Sequence, residues 1–138
     1  MNEISRTEKW IFGKLSGDSA LNTAVGGRIF GYIAPQGTGY PLVLFNLQTG
    51  RDIQGPGTSR IQSELLYQVK VISKGPADAN TRTALDRIDE LIGKAIHNLS
   101  DGFLFSARRE QPINYHETNG DTRFQHTGGL YRIYCYPQ

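Results

Sequence analysis

Leu85, Ile88, Leu91, Ile92, Ala95, Ile96 and Leu99 recur at spacings of three and four. On a 3.6-residue period these positions form one wide apolar stripe, so the spacing predicts a long amphipathic helix over residues 76–98. Asn80, Arg82, Asp86, Asp89, Glu90 and Lys94 fill its other face. Arg82 and Asp86, and likewise Glu90 and Lys94, stand one turn apart, and each pair can contribute about 0.2–0.5 kcal/mol. Gly75 and Pro76 open this helix, and Asn98, Ser100, Asp101 and Gly102 supply its stop. A stripe this wide needs a sheet to cover.

Strand patterns flank it on both sides. Residues 40–48 carry Leu42, Val43, Leu44, Phe45 and Leu47 almost without interruption, the pattern of a strand buried on both faces. Over 60–73, Tyr67, Val69 and Val71 alternate with Gln68 and Lys70, which predicts one buried face and one wet face. Residues 103–109 and 123–136 read as two more strands, with a bulge expected at Gly128-Gly129. Residues 48–60 and 110–123 read as long polar connections, the first mobile and the second turning at Asn119-Gly120-Asp121.

Nearer the N-terminus, Ile4, Ile11, Phe12 and Leu15, with Trp10 beside them, predict a helix over 3–15. Asp18 or Ser19 can cap a second short helix through Ala20, Leu21 and Val25, which Gly26-Gly27 ends. Residues 28–33 are a short extended piece, and 34–39 a loop. The expected fold is α+β, a single domain over 1–138. It has a mixed or antiparallel sheet of about four main strands, one long helix packed on it and one or two N-terminal helices.

Composition narrows the function classes. A chain of 138 residues removes roughly two-thirds of its unfolded surface from water on folding, enough for a real core. A net charge of +2, evenly mixed in sign, does not describe a nucleic-acid surface. Cys135 is the only cysteine, so no intrachain disulfide can form, and its hydrophobic setting predicts a buried structural thiol. The charged N-terminus lacks a signal-peptide core and no apolar run is long enough to span a bilayer, so the expectation is a soluble product with no membrane partner.

Candidate chemistry is sparse. His97, His116 and His126 show no metal-ligand spacing; His97 fits a helix C-terminus and the others a solvated setting. There is no Gly-x-Ser-x-Gly elbow. Asp86, Asp89 and Glu90 are interleaved with Arg82, Arg87 and Lys94, as on a solvated face, and have no apolar pocket to separate their pKa values. Gly55-Pro56-Gly57-Thr58-Ser59-Arg60 lacks the lysine of a phosphate loop and leads into a strand, so it reads as a hairpin tip. No catalytic residue, cofactor or metal ligand emerges, and the expectation is a protein that is not an enzyme. Two long polar projections in a domain without a site point to contact with other proteins.

Ala20-Leu21-Asn22-Thr23-Ala24-Val25-Gly26-Gly27-Arg28-Ile29-Phe30, then Ala34-Pro35-Gln36-Gly37-Thr38, then Tyr40-Pro41-Leu42-Val43, make a recognisable series. Glu64 near the start of a strand and Ala84-Leu85-Asp86-Arg87-Ile88 in the helix continue it. From about residue 18 to the last strand, the chain resembles the tail completion, or tail terminator, proteins of long-tailed bacteriophages. The resemblance implies a non-catalytic α+β subunit that forms a ring, typically of six copies, at the neck of the virion. Such a ring caps the tail tube, stops its polymerisation and docks to the head connector, while DNA passes through as cargo. Its implied partners are its own copies, the tail tube protein and the connector or head-completion protein, with assembly in the host cytoplasm.

A ring of this kind needs two different patches that meet head to tail. Arg51, Asp52, Gln54 and Arg60 in the first projection are the main candidates, and Arg108, Arg109, Glu117 and Asp121 in or beside the second are the others. Two alternatives stand beside this reading. One is another neck or tail component, such as a head-completion or tube protein. The other is a small ligand-binding domain or enzyme whose site is assembled from residues distant in sequence.

Overall fold

A computed structural model describes residues 2–57, 60–94 and 96–137. Each helix begins where a side chain accepts a hydrogen bond from an otherwise unpaired backbone amide. Asn2 accepts from the Ile4 amide at the head of α1 (Glu3–Ser16), and Asp18 accepts from the Leu21 amide at the head of α2 (Ser19–Val25). Gly26, at φ 60° and ψ 34°, ends α2 in the left-handed conformation that glycine adopts without steric cost. Asp78 caps α3 (Ala79–Ile92) through the Thr81 amide, so Gly75-Pro76 lie outside the helix that they were expected to open.

The far end of α3 also departs from expectation. The helix stops at Ile92 with Gly93 as its cap, and Ile96–Ser100 forms strand β4 instead of further helix. Ile96 and Leu99 therefore extend the stripe only by coincidence of spacing. Asp101 and Gly102, at φ 52° and 78°, make the two-residue turn that joins β4 to β5 (Phe103–Asn119). His97 thus belongs to a strand and not to a helix end. Glu90 and Lys94 pair as expected at 2.9 Å, whereas Arg82 turns back to the Ala77 carbonyl at 3.3 Å.

Among the described residues the sheet has six strands, against about four main strands expected, in the order β1-β2-β3-β6-β5-β4. β1 (Ile29–Gly31) runs parallel to β2 (Leu42–Gln54); β3 (Arg60–Lys74), β6 (Thr122–Pro137) and the remaining neighbours pair antiparallel. Both expected polar connections are largely strand. β2 continues to Gln54, opposite Arg60, and β5 continues to Asn119, opposite Thr122. Apart from the half-buried Ile53 and Ile113 these stretches are exposed, so they show no apolar alternation.

The bulge lies on the strand facing Gly128-Gly129. β6 keeps an unbroken register through both glycines, while β5 shifts between Arg109 and Gln111. The glycines serve close approach: a Cβ at Gly128 would stand 2.2 Å from the Val69 carbonyl oxygen and 2.6 Å from the Lys70 Cα.

The core lies between the helices and one face of the sheet. Leu65, Tyr67, Val69 and Val71 of β3, Tyr131, Ile133 and Cys135 of β6, and Phe105 of β5 meet Ile11, Leu15, Leu21, Val25, Ile88 and Ile92. Trp10 stacks on Phe105 at 5.0 Å and donates to Asn98 Oδ1 at 2.7 Å, fastening α1 to the β4–β5 edge. On the opposite face, Leu66, Gln68, Ile72, Leu130 and Tyr134 are half-buried. Two residues expected to be wet are buried there: Lys70 is 8% exposed and His126 is 5% exposed. Tyr115 causes this, stacking on His126 and accepting from Lys70 Nζ at 2.7 Å.

The glycine and proline motif near the N-terminus is a splice between β1 and β2. Arg28 donates from Nε to the Pro41 carbonyl at 3.0 Å, and its own carbonyl accepts from the Val43 amide at 2.8 Å.

Candidate assembly surfaces

The register sets the paired ends of β2 and β3 and the β5–β6 turn at opposite ends of the sheet. Ser63, near the start of β3, lies beside Cys135, whereas Lys74 at its other end lies beside Phe124, close to the β5–β6 turn. The candidate residues divide accordingly. Arg51, Asp52, Gln54 and Arg60 lie toward one end, Glu117 and Asp121 toward the other, and Arg108 and Arg109 on β5 between them.

At the β2–β3 end the charged groups are tied to partners that sequence proximity does not reveal. Arg51 Nε donates to Glu64 Oε2 at 2.8 Å, and this hydrogen bond holds the Glu64 carboxyl below the usual range. Arg60 binds both carboxylate oxygens of Glu3, at 2.6 and 2.9 Å, a bidentate pair that fastens the hairpin to the start of α1. Asp52 accepts from Ser63 Oγ at 2.7 Å and lies 3.9 Å from Arg60. A groove of ≈350 Å³ opens between α1 and β2, lined in part by Glu3, Leu47, Asp52 and Arg60.

Arg109 lies 3.8 Å from Asp89 of α3, and its amide donates to the Gly93 carbonyl at 3.1 Å. Arg108 pairs in register with Arg132, whose guanidinium is held by Glu110 at 3.0 and 3.2 Å. Asp121 lines a second groove of ≈450 Å³ with Gly75, Pro76, His116, Arg123 and Gln125. Glu117 stands 3.5 Å from the buried His126, too long for a well-formed hydrogen bond. Burial, then the nearby Lys70 charge, push the His126 pKa down, with Glu117 opposing.

Glu3, Glu64 and Arg132 are charged partners that the sequence did not assign, and Glu110, the sequence neighbour expected to neutralise Arg108-Arg109, binds Arg132 instead. Alternation within each strand could have flagged Glu64 and Arg132 as neighbours of candidate residues. The Glu3–Arg60 pair spans 57 positions and has no local signal. The Cys135 thiol is buried, and burial pushes its pKa up to about 11, the opposite of an activated nucleophile. Among the described residues, no three histidine, cysteine, aspartate or glutamate side chains converge as a metal site would require. Nor, among them, is any helix long and apolar enough to cross a membrane.

The candidate surfaces therefore carry charged groups held in ion pairs along the strands of one sheet. The family model of the Tail completion protein gp17 matches residues 9–127, and the chain belongs to that family. It is a structural component of a bacteriophage-type virion tail. Among solved structures, a chain of "Virion of native gene transfer agent (GTA) particle" shares the fold, with a TM-score of 0.62, 15% identity and 91% of each chain covered. No curated protein matches.

Proposed function

We propose that this protein assembles into a ring of about six copies at the top of the tail, as the resemblance to tail terminators implies, with two or more different contact patches per subunit. The ring caps the tail tube, ends its polymerisation and presents its opposite surface to the connector or head-completion protein. Membership of the tail completion family carries this reading. The strand pairs add a geometric reason, because a joining piece must face two different partners and the candidate residues of β2–β3 and of the β5–β6 turn lie toward opposite ends of the sheet. Arg51, Asp52, Gln54 and Arg60 serve one contact, Glu117 and Asp121 the other, and Arg108 and Arg109 the flank between them. DNA crosses the lumen as cargo, and the protein needs no catalytic group or cofactor.

The test is polymerisation of purified tube protein with and without this protein, followed by negative-stain microscopy. Short closed rings alone, and tubes that stop growing with a ring at one end when both are mixed, support the reading. Long tubes formed by this protein alone would make it a tube protein. Unchanged tube growth at saturating amounts would overturn the capping role.

A further inference from the structure

Both edges of the sheet are stepped, and the steps are complementary. On one edge, β1 covers β2 only from Val43 to Phe45. Among the described residues, no strand lies outside 46–54 of β2. On the other edge, β4 covers β5 only from Phe103 to Ala107, with the Gly93 carbonyl extending the cover to Arg109. Among the described residues, no strand lies outside 110–119 there.

The shared register of β3 and β6 gives these steps a common scale. β1 lies level with Val69 to Val71 of β3. At that level β5 is bare, since Pro112 faces Gly129, which faces Val69. Conversely, Ala107 faces Ile133, which faces Leu65, so β4 lies toward the start of β3. There β2 is bare, with Gly50 beside Leu65 and Ile53 beside Gln62. Each edge projects where the other is recessed.

We infer that the stepped edges interlock between neighbouring copies of this chain, β4 of one copy seating beside residues 46–54 of the next, whose β1 seats beside residues 110–119 of the first. This rests on the ring proposed above and names its subunit contact. A bare strand offers a row of backbone donors and acceptors, a template for another strand. Apolar side chains stand where the interlock would cover them: Leu99 on β4 is 66% exposed, Ile33 just after β1 is 81% exposed, and Tyr115 lies on the bare part of β5. Pro112, the charges of 110–119 and the irregular register at Leu47–Thr49 discourage indiscriminate edge pairing by the lone subunit. The contact is heterologous, because the two edges differ, and so it propagates from copy to copy until the rotation closes. A symmetric β5–β5 pairing would instead stop at two copies and leave β2 bare.

Ile53 and Leu99 fall at the same level on the two edges, Ile53 beside Gln62 and Leu99 across from Leu104, which faces Tyr136. A chain carrying both Ile53→Cys and Leu99→Cys, mildly oxidised at assembly concentration, should give a ladder of disulfide-linked multimers on a non-reducing gel. Each single variant should remain one chain long. As a second measurement, Ile33→Glu with Leu99→Glu should abolish the ring species in native mass spectrometry while leaving the melting temperature of the monomer unchanged. Rings that form without a ladder and survive the double glutamate change would overturn the interlock and leave the ring standing. Covalent dimers alone, from either single variant, would replace the interlock with a symmetric contact. A wild-type chain that never assembles would overturn both readings.

Discussion

Gly128 is the position where the packing argument can be tested most sharply. A methyl group there would place carbon 2.2 Å from the Val69 carbonyl oxygen and 2.6 Å from the Lys70 Cα. Even a close C–H···O contact needs about 3.3 Å between carbon and oxygen. β3 and β6 would have to separate locally by roughly 1 Å to restore that contact distance. The obstructing atoms are backbone in a central strand pair, so no side chain can swing aside. Overpacking of this kind costs about 1–3 kcal/mol, and the rigid surroundings put Gly128→Ala at the upper end. With a urea m-value of ~2 kcal/mol/M, the unfolding midpoint should fall by about 1.5 M.

The assay is built into the chain. Trp10 is the only tryptophan and is buried against Phe105, so its fluorescence reports loss of the α1–sheet contact. Gly13→Ala is the control. Gly13 sits in α1 with nothing within 4 Å of an added Cβ, so the same change should raise stability by about 0.5–1 kcal/mol. A midpoint for Gly128→Ala equal to or above wild type would refute the close approach of β3 and β6, and with it the register through Gly128 and Gly129.

Ile92→Ala removes a fully buried side chain from α3 and should cost about 2–5 kcal/mol in the same urea experiment. Acid should weaken the fold through His126. The unfolded histidine takes up a proton below about pH 6.5, whereas the buried ring resists it, so stability is lost as pH falls from there toward the lower folded pKa. Urea midpoints measured from pH 7 to 5 should therefore fall less steeply in His126→Phe than in wild type; parallel slopes would contradict this. DNA affinity should be weak at physiological salt, because Arg51, Arg60 and Arg132 are already bound to Glu64, Glu3 and Glu110. Duplex binding that stays submicromolar in a titration at physiological salt would count against a passive channel.

Local chemistry made part of this fold legible in the sequence. The caps at Asp18 and Gly26, the alternation at Tyr67, Val69 and Val71, and the stripe through Ile88 and Ile92 each act within a few residues, and each appears in the structure. What stayed hidden depends on partners far along the chain. Residues 48–54 and 110–119 form strands through pairing; with most of their side chains exposed they carry no hydrophobic period. Strand β4 was masked because Ile96 and Leu99 continue the helical spacing, although Asp101-Gly102 before Phe103 is a strong hairpin signal. Lys70 and His126 look like solvent-facing residues until Tyr115 is laid over them from β5. The candidate contact residues were identifiable as polar projections, but their division between opposite ends required the sheet order.

The place of β6 in that order has a consequence for the timing of synthesis. β6 comes last among the described strands and yet lies near the middle of the sheet, joining β3 on one side to β5 on the other. Until Thr122–Pro137 has been made, β3 and β5 each lack a neighbour, and Ile133 and Cys135 are missing from the core. Translation therefore has to reach this segment before β3 and β5 can be joined into one sheet, because every pairing between them runs through β6.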